Sequence, residues 1–146
     1  EKSYNYNRIN CCVHLRLGDV LTNDNNPNDI YVTENGYRKQ YNYSYNNYMK
    51  VANTLKYFYN IDEITIIGGA HKNSNLNKSL NFVNNIKNIF KDKKYKVNIR
   101  LGNNPDEDFL LMCNCRLFVK AGGGYSQIIS DYVKFNNNIV IDPLKL

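Results

Sequence analysis

Apolar positions along the chain fall into short continuous runs and into longer stretches with helical spacing, and the two kinds alternate. Ile9 to Arg16 is an apolar run without period-two alternation, the pattern of a strand covered on both faces. A polar stretch from Asp19 to about Tyr43 follows, rich in Asn and Asp and carrying Pro27 and Gly36. It is longer than an ordinary connection, which marks it as a functional or mobile loop. Ser44 is placed to cap a helix reaching about Tyr59, with Tyr48, Ala52, Leu55 and Phe58 or Tyr59 on one face. Glu63 to Ile67 then predicts a second strand ending at Gly68-Gly69.

The same alternation continues. Leu80, Val83, Ile86 and Phe90 give helical spacing between about Asn77 and Phe90, and Tyr95 to Arg100 predicts the third strand. Asp106 and Asp108 lead into a short helix, Phe109 to Asn114, where acidic residues suit the positive end of the helix dipole. Cys115 to Ala121 predicts the fourth strand, Tyr125 to Phe135 a helix, and Asn138 to Asp142 the fifth strand, stopped by Pro143. Five strands separated by four helices predict an α/β fold, a Rossmann-like, doubly wound parallel sheet. No internal repeat or linker divides residues 1–146, so one domain is expected.

In such a sheet ligands bind beyond the carboxyl ends of the strands. Those ends are Arg16-Leu17-Gly18-Asp19, Gly68-Gly69-Ala70-His71, Arg100-Leu101-Gly102 and Gly122-Gly123-Gly124-Tyr125-Ser126, which gathers nearly all the chemically unusual residues on one edge. Arg16 ends a hydrophobic strand, where a guanidinium needs a partner: a phosphate or carboxylate ligand, or an ion pair with Asp19 or Asp142. Strand alternation puts His14 on the same face as Arg16. The run Gly122-Gly123-Gly124-Tyr125-Ser126-Gln127 joins a strand to a helix start, where glycines let backbone amides approach an anion and Ser126 and Gln127 add side-chain donors. It matches neither the Walker pattern nor G-x-G-x-x-G, and a plain tight turn is the competing account. Asp106-Glu107-Asp108 contains D-x-D, which in some sugar transferases holds a metal; here it reads first as a helix start, and also as an acceptor for the N–H donors of a guanine ring.

Composition narrows the partners. The chain has 146 residues, 42% hydrophobic and 22% charged, enough for a real core without disulfides or metal. The net charge of +6 favours an anionic partner, but scattered Lys and Arg argue against a nucleic-acid surface. No apolar run approaches the roughly 20 residues needed to span a bilayer. Cys11-Cys12 and Cys113-x-Cys115 lack zinc spacing; small buried residues are the expectation, with a disulfide between the clusters left open. Glu1, not Met, opens the sequence, which reads as an excerpt of a longer chain.

The segment Val13-His14-Leu15-Arg16-Leu17-Gly18-Asp19 resembles the H-x-R-x-G-D signature of the inverting α1,2- and α1,6-fucosyltransferases and protein O-fucosyltransferases. A second block, Asp108 to Val119 followed by Tyr125-Ser126-Gln127, resembles that family's acidic residue, its "LM-x-x-C" stretch, a strand and a Ser-containing phosphate loop, in the same order. The likeness implies the donor-binding domain of a GT-B glycosyltransferase working without a metal, with GDP-fucose as donor and a glycan or glycoprotein as acceptor. It implies that Arg16 binds the β-phosphate and stabilises departing GDP, the catalytic role. His14 and Asp108 would contact the guanine or its ribose, Ser126 and Gln127 the phosphates, and Gly18, Asp19, Gly123, Gly124 and Tyr125 would complete the donor site. The acidic pair usual after the family's second strand is replaced by Gly68-Gly69-Ala70-His71, and the amino-terminal acceptor domain is not in these residues. Two other functions stay open: a non-catalytic glycan- or partner-binding module of this fold, and an unrelated nucleotide- or RNA-binding Rossmann-like protein.

Overall fold

The first apolar run forms strand β1, Cys11–Leu15, buried along its whole length. The structure, a computed structural model, describes residues 9–17, 43–69 and 76–146. Within them β1 is followed by α1 (Tyr45–Tyr59), β2 (Glu63–Gly68), α2 (Leu76–Asp92), β3 (Lys96–Leu101), α3 (Pro105–Cys113), β4 (Leu117–Val119), α4 (Gly124–Phe135), β5 (Ile139–Ile141) and a 3₁₀ turn, Pro143–Lys145. The five strands make one parallel sheet in the order β3-β2-β1-β4-β5. This is the doubly wound α/β arrangement expected from the strand–helix alternation. No helix among the described residues is long and apolar enough to cross a membrane.

Burial on both faces explains why β1 reads as a continuous apolar run. Cys11, Val13 and Leu15 point into one core with Tyr48, Ala52 and Leu55 of α1 and Phe82, Val83, Ile86 and Phe90 of α2. Cys12 points the other way, into a second core with Phe118, Met112 of α3, and Ile129 and Val133 of α4. Helices α1 and α2 therefore pack on one face, and α3 and α4 on the other. All four cysteines are buried free thiols, as small core residues.

Local signals account for the helix starts. The Ser44 hydroxyl accepts from the Asn47 amide and caps α1, as its position predicts. Helix α3 begins four residues before the expected Phe109, because Asn104 Oδ1 accepts from the amides of Asp106 and Glu107 and Pro105 occupies the first helical position. Two expected inward positions are corrected. Phe58 is 80% exposed at the C-terminal end of α1, and Leu80 of α2 is exposed while Phe82 is buried. The strands are also shorter than their apolar runs, since Arg16 at one end and Cys115 and Arg116 at another lie outside the ladder.

Candidate functional site

The chain steps outward from β1 through β2 to β3, then crosses back to β4 and β5 on the other side of β1. The helices that follow β1 and β4 lie on opposite faces, which opens a crevice at the carboxyl ends of those strands. A cleft of about 760 Å³ lies there, lined by His14 and Arg16 after β1, Gly69 after β2, Gly102 after β3, Pro105, Asp108 and Met112 of α3, and Gly122 to Tyr125 before and within α4. Residues up to 112 positions apart in sequence meet at this edge.

Arg16 is half-buried at the cleft wall. His14 is buried behind it, its ring stacked near Phe118 at 6.0 Å between centroids and met edge-on by Tyr125 at 5.6 Å. Burial first, and the neighbouring Arg16 charge second, lower the His14 pKa to about 4, so the imidazole is neutral near pH 7. Arg16 is thus the cationic group that β1 brings to the cleft.

On the opposite wall, Gly123 adopts φ 89° and ψ 170°, a backbone region open essentially to glycine. This conformation turns β4 into α4, and no side chain among the described residues caps the first turn. The helix start therefore presents N–H groups and the positive end of its dipole beside the cleft. A Cβ on Gly124 would meet nothing within 4 Å, so the wall is open at that point.

Asp108 closes the third side. Its carboxylate is nearly buried and accepts from Arg100 Nε at 2.9 Å, while Arg100 also donates from Nη2 to Glu107 Oε1 at 3.2 Å. Sequence spacing carries no sign of this pair, although Arg100 falls at a strand end. The D-x-D segment is thereby a helix start whose last acid is tied to an arginine. Among the described residues, no group of three or more His, Cys, Asp or Glu is placed to hold a metal ion.

Of the residues singled out in the sequence, the structure brings His14, Arg16, Asp108, Gly123, Gly124 and Tyr125 to one cleft. Gly18, Asp19 and His71 lie outside the described residues. Ser126 and Gln127 are not among the residues that line this cleft. Ser126 is fully buried, its Oγ accepting from the Ala121 amide at 2.9 Å and lying 3.1 Å from His14 Nδ1. Gln127 is turned to a different depression, where its amide accepts from Lys120 and donates to Asp131.

No protein family, curated protein or solved structure matches this chain.

Proposed function

We propose that this chain is the donor-binding domain of a glycosyltransferase, taking a nucleoside-diphosphate sugar, GDP-fucose, and serving inverting transfer to a glycan or glycoprotein acceptor. The observation that carries the reading is the pairing of Arg16 with the glycine-turned start of α4 across one cleft at the switch point of a parallel sheet. A guanidinium fork and a row of backbone amides are the two protein groups best matched to a diphosphate. His14 and Arg16 of the first block and Asp108, Met112 and Tyr125 of the second line this cleft, with Gly122 to Gly124 between them.

In this reading the acceptor hydroxyl attacks the sugar's anomeric carbon from the face opposite the diphosphate. The carbon–oxygen bond to the diphosphate breaks, its electron pair leaves on the β-phosphate, and the proton of the attacking hydroxyl passes to water. Arg16 stabilises the negative charge that develops there, and the α4 amides share it. Asp108 accepts from Arg100 through Oδ1, leaving Oδ2 for an N–H of the nucleobase.

The test is thermal unfolding with and without GDP at millimolar concentration. Ligand at roughly 100 times its Kd stabilises a domain by about 2.7 kcal/mol, a readable shift in Tm. Arg16→Ala is expected to abolish the shift, read against that variant's own apo Tm. Absence of any shift in the wild-type protein overturns the proposal. A parallel panel with UDP and GDP-fucose reads base preference, and donor hydrolysis separates a transferase from a module that only binds.

A further inference from the structure

Ser126 stands at the first turn of α4 yet does not face the cleft. It is 0% exposed, and its hydroxyl oxygen has two partners: the Ala121 amide, which donates to it at 2.9 Å, and His14 Nδ1 at 3.1 Å. An amide can only donate, so that side of the oxygen is an acceptor. The hydroxyl hydrogen must then be given elsewhere, and among the described residues the acceptor in reach is Nδ1 of a neutral imidazole. A proton on Nδ1 would leave two donors pointing at one oxygen and a buried hydroxyl hydrogen without an acceptor, which folded proteins avoid. A flipped ring would put a C–H against Oγ and forfeit the bond.

We propose that Ser126 is a positioning residue that holds His14 as its Nε2–H tautomer, so that a neutral N–H donor is presented to a ligand oxygen in the cleft. The lowered basicity of His14 agrees with this, since a doubly protonated ring could not accept from Ser126. Three neighbours fix the ring. Phe118 lies along its face, Tyr125 meets it edge-on, and the Ser126–Ala121 bond anchors the partner itself to the end of β4. The seryl hydroxyl that resembles a phosphate ligand in sequence thus acts one residue removed, through the histidine. The tautomer lock stands on the fold alone; that the ligand oxygen belongs to a nucleoside diphosphate rests on the function proposed above.

The experiment is a long-range ¹⁵N–¹H spectrum of the ¹⁵N-histidine-labelled protein near pH 7. The chain has 2 histidines, so a His71→Asn variant assigns His14. Wild type is expected to show an unprotonated Nδ1 and a protonated Nε2. A protonated Nδ1, or a rapidly exchanging mixture, overturns the proposal. Ser126→Ala is expected to release His14 into a tautomer mixture, and Ser126→Thr, which keeps the hydroxyl, to restore the wild-type pattern. An unchanged Nε2–H tautomer in Ser126→Ala overturns the role of Ser126. Should Ser126→Ala not fold, the wild-type spectrum still decides through the state of Nδ1. GDP added to wild type is expected to move the Nε2–H signal with Nδ1 still unprotonated. GDP that moves nothing overturns the nucleotide reading of the cleft and leaves the tautomer lock standing.

Discussion

Arg100 Nε donates to Asp108 Oδ1 at 2.9 Å, joining the end of strand β3 to the first turn of α3. Asp108 is 5% exposed and the arginine side chain 25%, so the bond is shielded on the acid's side and reachable by water on the other. Removing the arginine strands a nearly buried carboxylate at the cleft wall, which costs more than the pair itself contributes. Arg100→Ala is expected to destabilise the domain by about 1–3 kcal/mol, below the figure for a fully buried pair because of that water access. Arg100→Ala combined with Asp108→Asn is expected to lose less than the sum of the two single changes. Urea unfolding of the four proteins, read as a double-mutant cycle, gives the coupling directly. Additive losses would mean that the two side chains do not act as a pair.

His14 makes stability depend on pH in a definite direction. Burial and Arg16 hold its pKa at about 4 against an ordinary value of 6.5. Between those values the unfolded chain takes up a proton that the folded chain refuses. This contribution is fully present above about pH 6.5, declines as the pH falls toward about 4, and changes no further below that. Its full size is about 3 kcal/mol, since each tenfold loss of proton affinity corresponds to roughly 1.4 kcal/mol. His14→Gln, which cannot titrate, is expected to flatten the stability profile in that window. Denaturant midpoints measured at half-unit pH steps check it, and a variant profile as steep as wild type would sink the assignment.

Fold and site are unequally visible in the sequence. The strand–helix alternation and the gathering of Arg16, Asp108 and the glycine turn on one edge follow from periodicity and from the rule for parallel sheets. Ser44 is legible as a cap because an N-cap is a local interaction between residues three apart. The direction in which Ser126 turns its hydroxyl is not legible, because its partner His14 comes from the opposite side of the switch point. Gln127 lines a different depression for a related reason: one position along a helix rotates a side chain by about 100°. Phe58 satisfies the helical spacing of α1 but is exposed near its C-terminal end, an outcome that spacing does not encode. The start of α3 is marked by Asn104-Pro105, a local signal that the run of acids beside it overshadows.

Adjacent glycines at the cleft separate backbone strain from ligand space. Gly123 holds φ 89° and ψ 170°, so Gly123→Ala is expected to cost about 1–3 kcal/mol whatever room surrounds it. Gly124 opens α4 with free space around a built Cβ, and Gly124→Ala is expected to leave stability unchanged or raise it by about 0.5–1 kcal/mol. Its methyl nevertheless stands at the cleft wall, so a ligand held against the α4 amides should bind more weakly. Thermal melts with and without GDP distinguish the two variants. Equal apo stabilities for Gly123→Ala and Gly124→Ala would contradict the conformational difference between these positions.

Three of the four cysteines give a probe of opening on the face packed by α3 and α4. Cys12, Cys113 and Cys115 belong to the core between the sheet and helices α3 and α4, and Cys11 to the other core. Burial pushes the thiol pKa up to about 11 for Cys113 and about 12 for Cys115, and raises those of Cys11 and Cys12 as well. Since the thiolate is the reactive form, all four should resist maleimide or disulfide reagents at neutral pH in the folded state. Modification is then expected to follow opening of the structure, with Cys113 ahead because it is 5% exposed at the end of α3, whereas Cys12 and Cys115 are 0% exposed. Mass spectrometry of timed labelling reads the order, and full denaturation supplies the end point of four modified thiols. If all four label in native buffer as fast as in denaturant, the packing of α3 and α4 against β1 and β4 is not the stable arrangement described.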